Sequence, residues 1–222
     1  MKRYTARRLI AVFLGNILIG IGVAIFRMTL LGNDPSTAFV LSVAAKAGME
    51  LAPMLWICGA AWFVLELIWG RKFIGLGTFV NWFLLGVVAD GVTWVLNHFF
   101  TVPEAFLPRF LIMLLTLPVV SLGVSLYQSS ELGASPYDSL ALILDERFPK
   151  IPYFWCRIAV DGTSTLLAFL LGGIVGWGTL ACALCLGPFV HFFNKHISEP
   201  FCQVPKNEPE SFENAEESGK NA

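Results

Sequence analysis

Two short stretches of the chain hold the residues best suited to bind a ligand. Each has a proline at a predicted first helical position, Pro35 or Pro136, and an N-cap candidate before it, Asp34 or Ser135. The candidate substrate-binding residues of the two stretches are Asn33, Asp34, Ser36, Thr37, Ser135, Tyr137 and Asp138. Free N–H groups at a helix N-terminus carry roughly half a positive elementary charge. Two such ends facing each other inside a bilayer would make a site for an anion or a dipole. The alternative is two surface loops with capped helices and no ligand.

Ionisable residues within apolar runs are the second candidate group. Asp161 lies in the middle of such a run with Arg157 four residues before it, so both fall on one helix face. They form either a proton or substrate relay or a structural ion pair. Asp90 is a further candidate for ion coupling, whereas Glu66 lies close to Arg71 and is expected to reach toward the membrane edge.

Other chemistry finds little support in the sequence. Cys182 and Cys185 form a CxxC pair, but it lies in an apolar run without a second pair, so we expect no metal or redox role. A P-loop, an HExxH motif and a nucleophile elbow are all absent from the sequence. We therefore expect no cofactor, no metal and no enzymatic activity.

The composition indicates a membrane protein. Of 222 residues, 56% are hydrophobic and only 14% are charged, against about 25% charged residues in an ordinary soluble domain. Such a chain cannot hide its apolar surface in one core, which excludes a soluble globular domain, and it is too apolar to be disordered. The net charge of -1 leaves no basic excess for nucleic acid.

Six segments are long and apolar enough to cross a bilayer, which needs roughly 20 residues. They are Leu9–Leu31, Pro53–Trp69, Ile74–Val95, Phe110–Tyr127, Tyr153–Leu171 and Val175–Phe193. Two shorter apolar pieces, 35–48 and 136–148, suit re-entrant or interfacial half-helices. The predicted fold class is thus all-α, a polytopic helical bundle of six spans and two half-helices.

The chain contains an internal repeat. Gly32 and Gly133 are 101 residues apart, and "GLGT" at Gly75 matches "GWGT" at Gly176 with the same offset. This predicts a first membrane repeat over 1–100, a second over 101–199, and a disordered acidic tail over 200–222. Three spans per repeat would place the copies in opposite orientations, an inverted-topology repeat. If the half-helices also span, the alternative is eight crossings and parallel repeats.

The basic residues predict the orientation. With the N-terminus in the cytoplasm, most Lys and Arg residues fall inside, as the positive-inside rule requires. The expected location is the bacterial inner membrane, multi-pass, with cytoplasmic N- and C-termini.

The motifs "LGNDPSTAF" and "LGASPYDSL", with the "GLGT" and "GWGT" starts and the overall length, resemble the YczE/YyaS/YitT-type family of bacterial integral membrane proteins. The similarity covers the body from about Arg8 to Asn194. It implies an inner-membrane protein and small-molecule transport or export, and it carries no assigned functional residues.

The predicted function is a secondary transporter or exporter of a small polar or anionic molecule, with a site between the two half-helix starts. Asp161, Arg157 or Asp90 would couple ions. Alternatives are a non-transporting scaffold that docks a partner through its tail, and a channel. The expected partners are the lipid bilayer, a small molecule that the sequence leaves unidentified, and a second copy of the chain in a possible homo-oligomer.

Overall fold

The computed structural model describes residues 6–101 and 104–202, and all regular structure in these ranges is helical. The helices are α1 (Ala6–Thr29), α2 (Pro35–Ala47), α3 (Leu51–Trp69), α4 (Leu76–Phe99), α5 (Phe106–Ser129), α6 (Asp138–Arg147), α7 (Tyr153–Leu170), α8 (Trp177–Phe193) and α9 (Glu199–Cys202). A 3₁₀ turn (Arg71–Phe73) precedes α4, and a π-helical turn (Asn194–Ser198) joins α8 to α9. The all-α prediction is confirmed.

Within the described residues, five helical segments are long and apolar enough to cross a membrane: α1, α3, α4, α5 and the continuous stretch Trp177–Cys202. They correspond to five of the six predicted spans. The predicted fifth span is α7, which has 18 residues and includes both Arg157 and Asp161. Because those charges lower its apolar character, α7 does not meet the same criterion, and a total of six spans stays a prediction.

The centre of the bundle is the antiparallel pair α1 and α5. At one end Arg8 of α1 forms an ion pair with Glu131, just beyond α5, at 2.9 Å. Further along, a Cβ added to Gly15 would lie 2.6 Å from the carbonyl oxygen of Gly123. Glycines at this contact let the two backbones approach closely, which is a common way for membrane helices to pack.

Helix α4 packs against α1 in the parallel direction. The Asn81 side-chain amide donates a hydrogen bond to Oδ1 of Asn16 at 2.7 Å, and Arg27 forms an ion pair with Asp90 at 2.6 Å. Residue numbers rise together along both helices, so their directions agree. The α1 helix therefore lies between α4 and α5.

Each of the two central helices is followed by a loop that holds the start of a distant helix. The carbonyl of Leu31, after α1, accepts a hydrogen bond from the N–H of Gly178 in α8 at 2.7 Å. The carbonyl of Leu132, after α5, accepts one from the N–H of Gly77 in α4 at 2.8 Å. These bonds tie each half of the chain to the other.

The short helices α2 and α6 begin where the loops turn back into the bundle. As predicted, α2 starts at Pro35 with Asp34 as its N-cap, whose Oδ2 accepts the Thr37 N–H at 3.0 Å. The second short helix starts two residues later than predicted. There the Ser135 hydroxyl accepts the Asp138 N–H at 3.0 Å, so Ser135 still caps this end.

The chain continues as helix past the predicted end of the second repeat. Residues 200–202 belong to α9, and Cys202 is buried against Ala11 and Leu126. The rest of the predicted acidic tail, 203–222, lies outside the described residues. The division of the chain at 100 and 199 stays a prediction.

Candidate functional site

A cavity of about 560 Å³ lies inside the bundle between α2 and α6. The starts of both short helices lie next to Trp62, which is in the interior of α3. The Trp62 ring is 6.2 Å from the ring of Phe39 in α2 and 5.1 Å from that of Tyr137 at the start of α6. The two half-helix starts thus converge at the interior of α3, away from its ends. The volume falls in the range of about 300–1,000 Å³ that is usual for small-molecule sites.

Most of the candidate residues named from the sequence line this cavity. They are Asp34, Ser36, Thr37, Ser135, Tyr137, Asp138, Arg157 and Asp161. Both halves of the chain contribute to the wall, because lining residues come from α1 to α4 and also from α5 to α8. The fold therefore brings together residues that are about a hundred positions apart.

Arg157 is the centre of an ionic network on one wall of the cavity. Its Nη1 lies 2.6 Å from Oδ1 of Asp138, and its Nε lies 2.9 Å from Oδ2 of Asp161. The Tyr137 hydroxyl donates to the other oxygen of Asp161 at 2.7 Å. One guanidinium thus neutralises part of the charge of two carboxylates and links α6 to α7.

Asp34, a further carboxyl of the same cavity, has a different environment. Its hydrogen bond is with the Thr37 N–H, and no ion pair of Asp34 occurs among the described residues. Burial raises the pKa of the Asp34 carboxyl above its usual value, and the hydrogen bonds from Thr37 act in the opposite direction. Asp34 is the cavity carboxyl that has no cation paired with it.

Two candidate residues lie outside this cavity. Asn33 lines a separate, smaller cavity of about 260 Å³ near Arg27 and the α7–α8 loop. Asp90 pairs with Arg27, and its other oxygen accepts the N–H of Ala52 at 2.6 Å. Since Ala52 is in the first turn of α3, Asp90 caps that helix from α4. Asp90 does not line the cavity that Asp161 lines, and its role in ion coupling stays a prediction.

The structure also adds lining residues that the sequence arguments missed. Trp62, Trp82 and Tyr127 all line the cavity. The Tyr127 side chain is 2% exposed, and its hydroxyl has no hydrogen-bond partner among the described residues. The sequence did contain a signal for the two tryptophans. Trp62 and Trp82 lie near the middle of predicted spans, whereas tryptophan is usually enriched at the membrane edge.

Glu66 also differs from expectation. Arg71 does not pair with it, because the Arg71 Nε donates to the carbonyl of Leu67. Glu66 is 0% exposed, and neither of its carboxyl oxygens has a hydrogen-bond partner in the described part of the chain. It therefore points into the bundle and does not extend to the membrane edge.

The donor set around the cavity suits an organic molecule better than a metal. Among residues 6–101 and 104–202, no group of three or more His, Cys, Asp or Glu side chains could hold a metal ion. Cys182 lines the cavity, and both it and Cys185 are free thiols. The wall offers carboxylates, hydroxyls, one guanidinium and aromatic rings, which can bind and orient a small polar compound.

Comparison with known proteins gives a family and no known activity. Residues 6–195 match a family of unknown function, DUF6198. The chain is 28% identical over 178 residues to an "Uncharacterized protein" of Haemophilus influenzae (strain ATCC 51907 / DSM 11121 / KW20 / Rd), covering 79% of this chain and 78% of that protein. It is 27% identical over 193 residues to "Uncharacterized membrane protein YczE" of Bacillus subtilis (strain 168), covering 86% and 87% of the two chains.

A third relative is "Uncharacterized protein YyaS" of the same Bacillus strain, 21% identical over 188 residues and covering 85% of this chain and 92% of that protein. These matches confirm the resemblance to YczE and YyaS. No solved structure matches the chain.

Proposed function

We propose that this chain, which belongs to DUF6198, is a secondary transporter or exporter that moves a small polar molecule across the membrane. The observation that carries the proposal is the cavity of about 560 Å³ at the point where the starts of α2 and α6 meet. Secondary transporters commonly bind their substrates between broken helices in the interior of the bundle. A scaffold has no need for a cavity of this size that both halves of its chain line with ionisable side chains.

We further infer that the two halves form an inverted-topology repeat. The antiparallel pairing of α1 with α5 supports this, because these helices are equivalent at the offset of 101 residues. The bond from Gly178 to Leu31 has a counterpart in the bond from Gly77 to Leu132, shifted by the same offset in both partners. Such reciprocal contacts are expected when two copies of one unit are related by a two-fold axis.

The backbone at the loops supports the same relation. Leu30 and Glu131 have φ values of 55° and 54°, and Gly32 and Gly133 have values of 109° and 118°. Each pair is again separated by 101 residues. Two conformations that L-residues seldom adopt thus recur at equivalent places, which favours duplication of one unit over chance.

Inverted symmetry suggests how transport would proceed. Equivalent helix contacts lie on the two sides of the cavity. When one half of the chain rocks against the other, the side that was closed can open and the side that was open can close. The substrate would then meet the cytoplasm in one state and the outside in the other. Arg157 and Asp161 remain the candidates for ion coupling, since their pair could open as the substrate contacts it.

Location and orientation belong to the same proposal. Arg8 and Lys72 each pair with an acidic residue of the second half, Glu131 and Glu146, and all four lie at one end of the bundle. This clustering of basic residues supports a cytoplasmic placement for that end, by the positive-inside rule. The proposed location is therefore the bacterial inner membrane, with the N-terminus in the cytoplasm.

The direct test is transport by purified protein in proteoliposomes. Vesicles loaded with a bacterial metabolite extract are diluted into buffer with or without a pH gradient, and mass spectrometry identifies compounds released faster than from protein-free vesicles. A transporter releases a restricted set of small polar compounds, and the release of each compound saturates with concentration. Release without saturation would favour a channel, and no specific release would contradict the proposal.

A matched pair of variants links transport to the cavity. Gly162 lines the cavity and Gly91 does not, yet both are exposed helical glycines, and a Cβ added at either meets no atom within 4 Å. We expect Gly162→Trp to reduce transport at least tenfold by filling the cavity, whereas Gly91→Trp keeps it. Equal transport by both variants, at equal membrane abundance, would place the path elsewhere.

A further inference from the structure

Building on the proposed transport function, we propose that the cavity binds a small organic cation, such as an amine or a quaternary ammonium compound, with Asp34 as its counter-ion. From the sequence alone we expect a small polar or anionic molecule, because helix N-termini are electropositive. The arrangement of charges around the cavity leads to the opposite selectivity.

The side chains of the cavity carry an excess of negative charge. Asp34, Asp138 and Asp161 supply three carboxylates, and Arg157 is the cation that lines the same wall. Arg157 already contacts both Asp138 and Asp161. The charge that remains to be balanced is therefore negative, and Asp34 is the carboxylate left without an ion pair.

The positive ends of α2 and α6 do not change this balance. Each contributes about half an elementary charge, so together they offset about one carboxylate. Both ends already have acidic residues of the protein next to them. Asp34 accepts the Thr37 N–H at the start of α2, and Asp138 lies in the first turn of α6. An anionic ligand would meet these carboxylates before it could reach the N–H groups.

Aromatic rings complete a surface that is suited to a cation. Trp62, Trp82 and Tyr137 line the cavity, and the guanidinium of Arg157 lies 5.5 Å from the centre of the Tyr137 ring. The wall thus already holds one cation against an aromatic face. A ligand cation over Trp or Tyr gains further electrostatic stabilisation, and aromatic cages are a known means of recognising quaternary ammonium groups.

An independent observation indicates that the cavity has an unmet polar partner. Tyr127 of α5 lines this cavity and is 2% exposed, and its hydroxyl has no hydrogen-bond partner among the described residues. A buried hydroxyl without a partner is costly, and a ligand that supplies an N–H donor or an acceptor removes that cost. A cation beside Asp34 also favours the ionised form of that carboxyl, which strengthens their attraction.

The test measures the binding of three compounds of similar size to the purified full chain in detergent. Tryptophan fluorescence and calorimetry report the affinity of each compound. The probes are benzyltrimethylammonium as the cation, benzyl alcohol as the neutral compound and benzenesulfonate as the anion. We expect the cation to bind at least tenfold more tightly than the other two. Tighter binding of benzenesulfonate, equal binding of all three, or no binding of any would overturn the inference.

Two variants assign the counter-ion. Asp34→Asn removes the charge, and because asparagine is also a good N-cap the start of α2 should stay intact. We expect it to weaken binding of benzyltrimethylammonium at least tenfold. Glu50→Gln is the matched control, since the Glu50 side chain is 76% exposed and lies outside the cavity, and it should leave binding unchanged. Equal affinity in Asp34→Asn and wild type would reject Asp34 as the counter-ion.

This experiment is separate from the test of transport. Binding of the cation without its movement in proteoliposomes would contradict the transporter proposal and leave the charge selectivity intact. Transport of an anionic compound would contradict the selectivity and leave the transporter proposal intact.

Discussion

Replacing Arg157 with glutamine should destabilise the protein by leaving two carboxylates without their cation. Arg157 contacts Asp138 and Asp161 at 2.6 and 2.9 Å, and the three side chains are 32%, 25% and 22% exposed. Removing one partner of a fully buried ion pair costs about 3–5 kcal/mol. These side chains are partly exposed, and solvent screening weakens their interaction. We therefore expect a smaller loss of stability, about 2–3 kcal/mol.

The assay is thermal unfolding of the purified protein in detergent, followed by tryptophan fluorescence. For a chain of this size the midpoint should fall by roughly 5–10 °C in Arg157→Gln. Lys72→Gln is the control, because its ion pair with Glu146 is on the surface, with side chains 63% and 39% exposed. That variant should change stability by less than about 1 kcal/mol.

A combined variant separates loss of an attraction from the presence of unpaired charge. Arg157→Gln together with Asp138→Asn and Asp161→Asn removes every charge of the network. We expect it to recover at least half of the lost stability, because neither carboxylate of this network is then left unpaired. The reasoning is refuted if Arg157→Gln is no less stable than Lys72→Gln, or if the triple variant is the least stable of all.

Two further predictions concern packing and burial, and the same thermal assay checks both. Gly15→Ala should lower stability by about 2 kcal/mol, because the added Cβ would lie 2.6 Å from the carbonyl oxygen of Gly123. Gly91→Ala should raise stability by about 0.5–1 kcal/mol, because a Cβ added there meets no atom within 4 Å and alanine favours the helix over glycine. Equal effects of these two changes would contradict the close approach of α1 and α5. Glu66→Met should raise the unfolding midpoint, because it removes a carboxyl group that is 0% exposed and has no hydrogen-bond partner among the described residues. A lower midpoint would indicate that Glu66 has a stabilising partner.

The local features of the chain were predicted well because they depend on neighbouring residues. Pro35 as the first residue of α2, with Asp34 as its cap, follows from the chemistry of helix starts. The pair Arg157 and Asp161 follows from helical spacing, and the structure places its atoms 2.9 Å apart. The start of α6 was predicted two residues early, because Ser135 caps through a turn that contains Pro136 before the helix begins.

The features that were missed depend on contacts between distant segments. The sequence gives no sign that Asp90 pairs with Arg27 and accepts the N–H of Ala52, outside the cavity that Asp161 lines, and its role in ion coupling stays a prediction. Glu66 was expected to reach toward the membrane edge, yet it is 0% exposed, because neighbouring helices cover the face of α3 on which it lies. Spacing along one helix cannot reveal which other helix will cover a given face.

By itself the sequence determined that the chain is an all-helical membrane protein, because the length and apolar character of its segments are read along the chain. The starts of the two short helices and the 101-residue offset between the two halves were likewise read from neighbouring residues and spacing. Only the tertiary structure decided that the broken segments meet beside Trp62 around one cavity, and that Asp34 is left there without a cation. The charge a site presents is a sum over groups from several helices. That sum depends on which groups the packing brings within a few ångströms of each other.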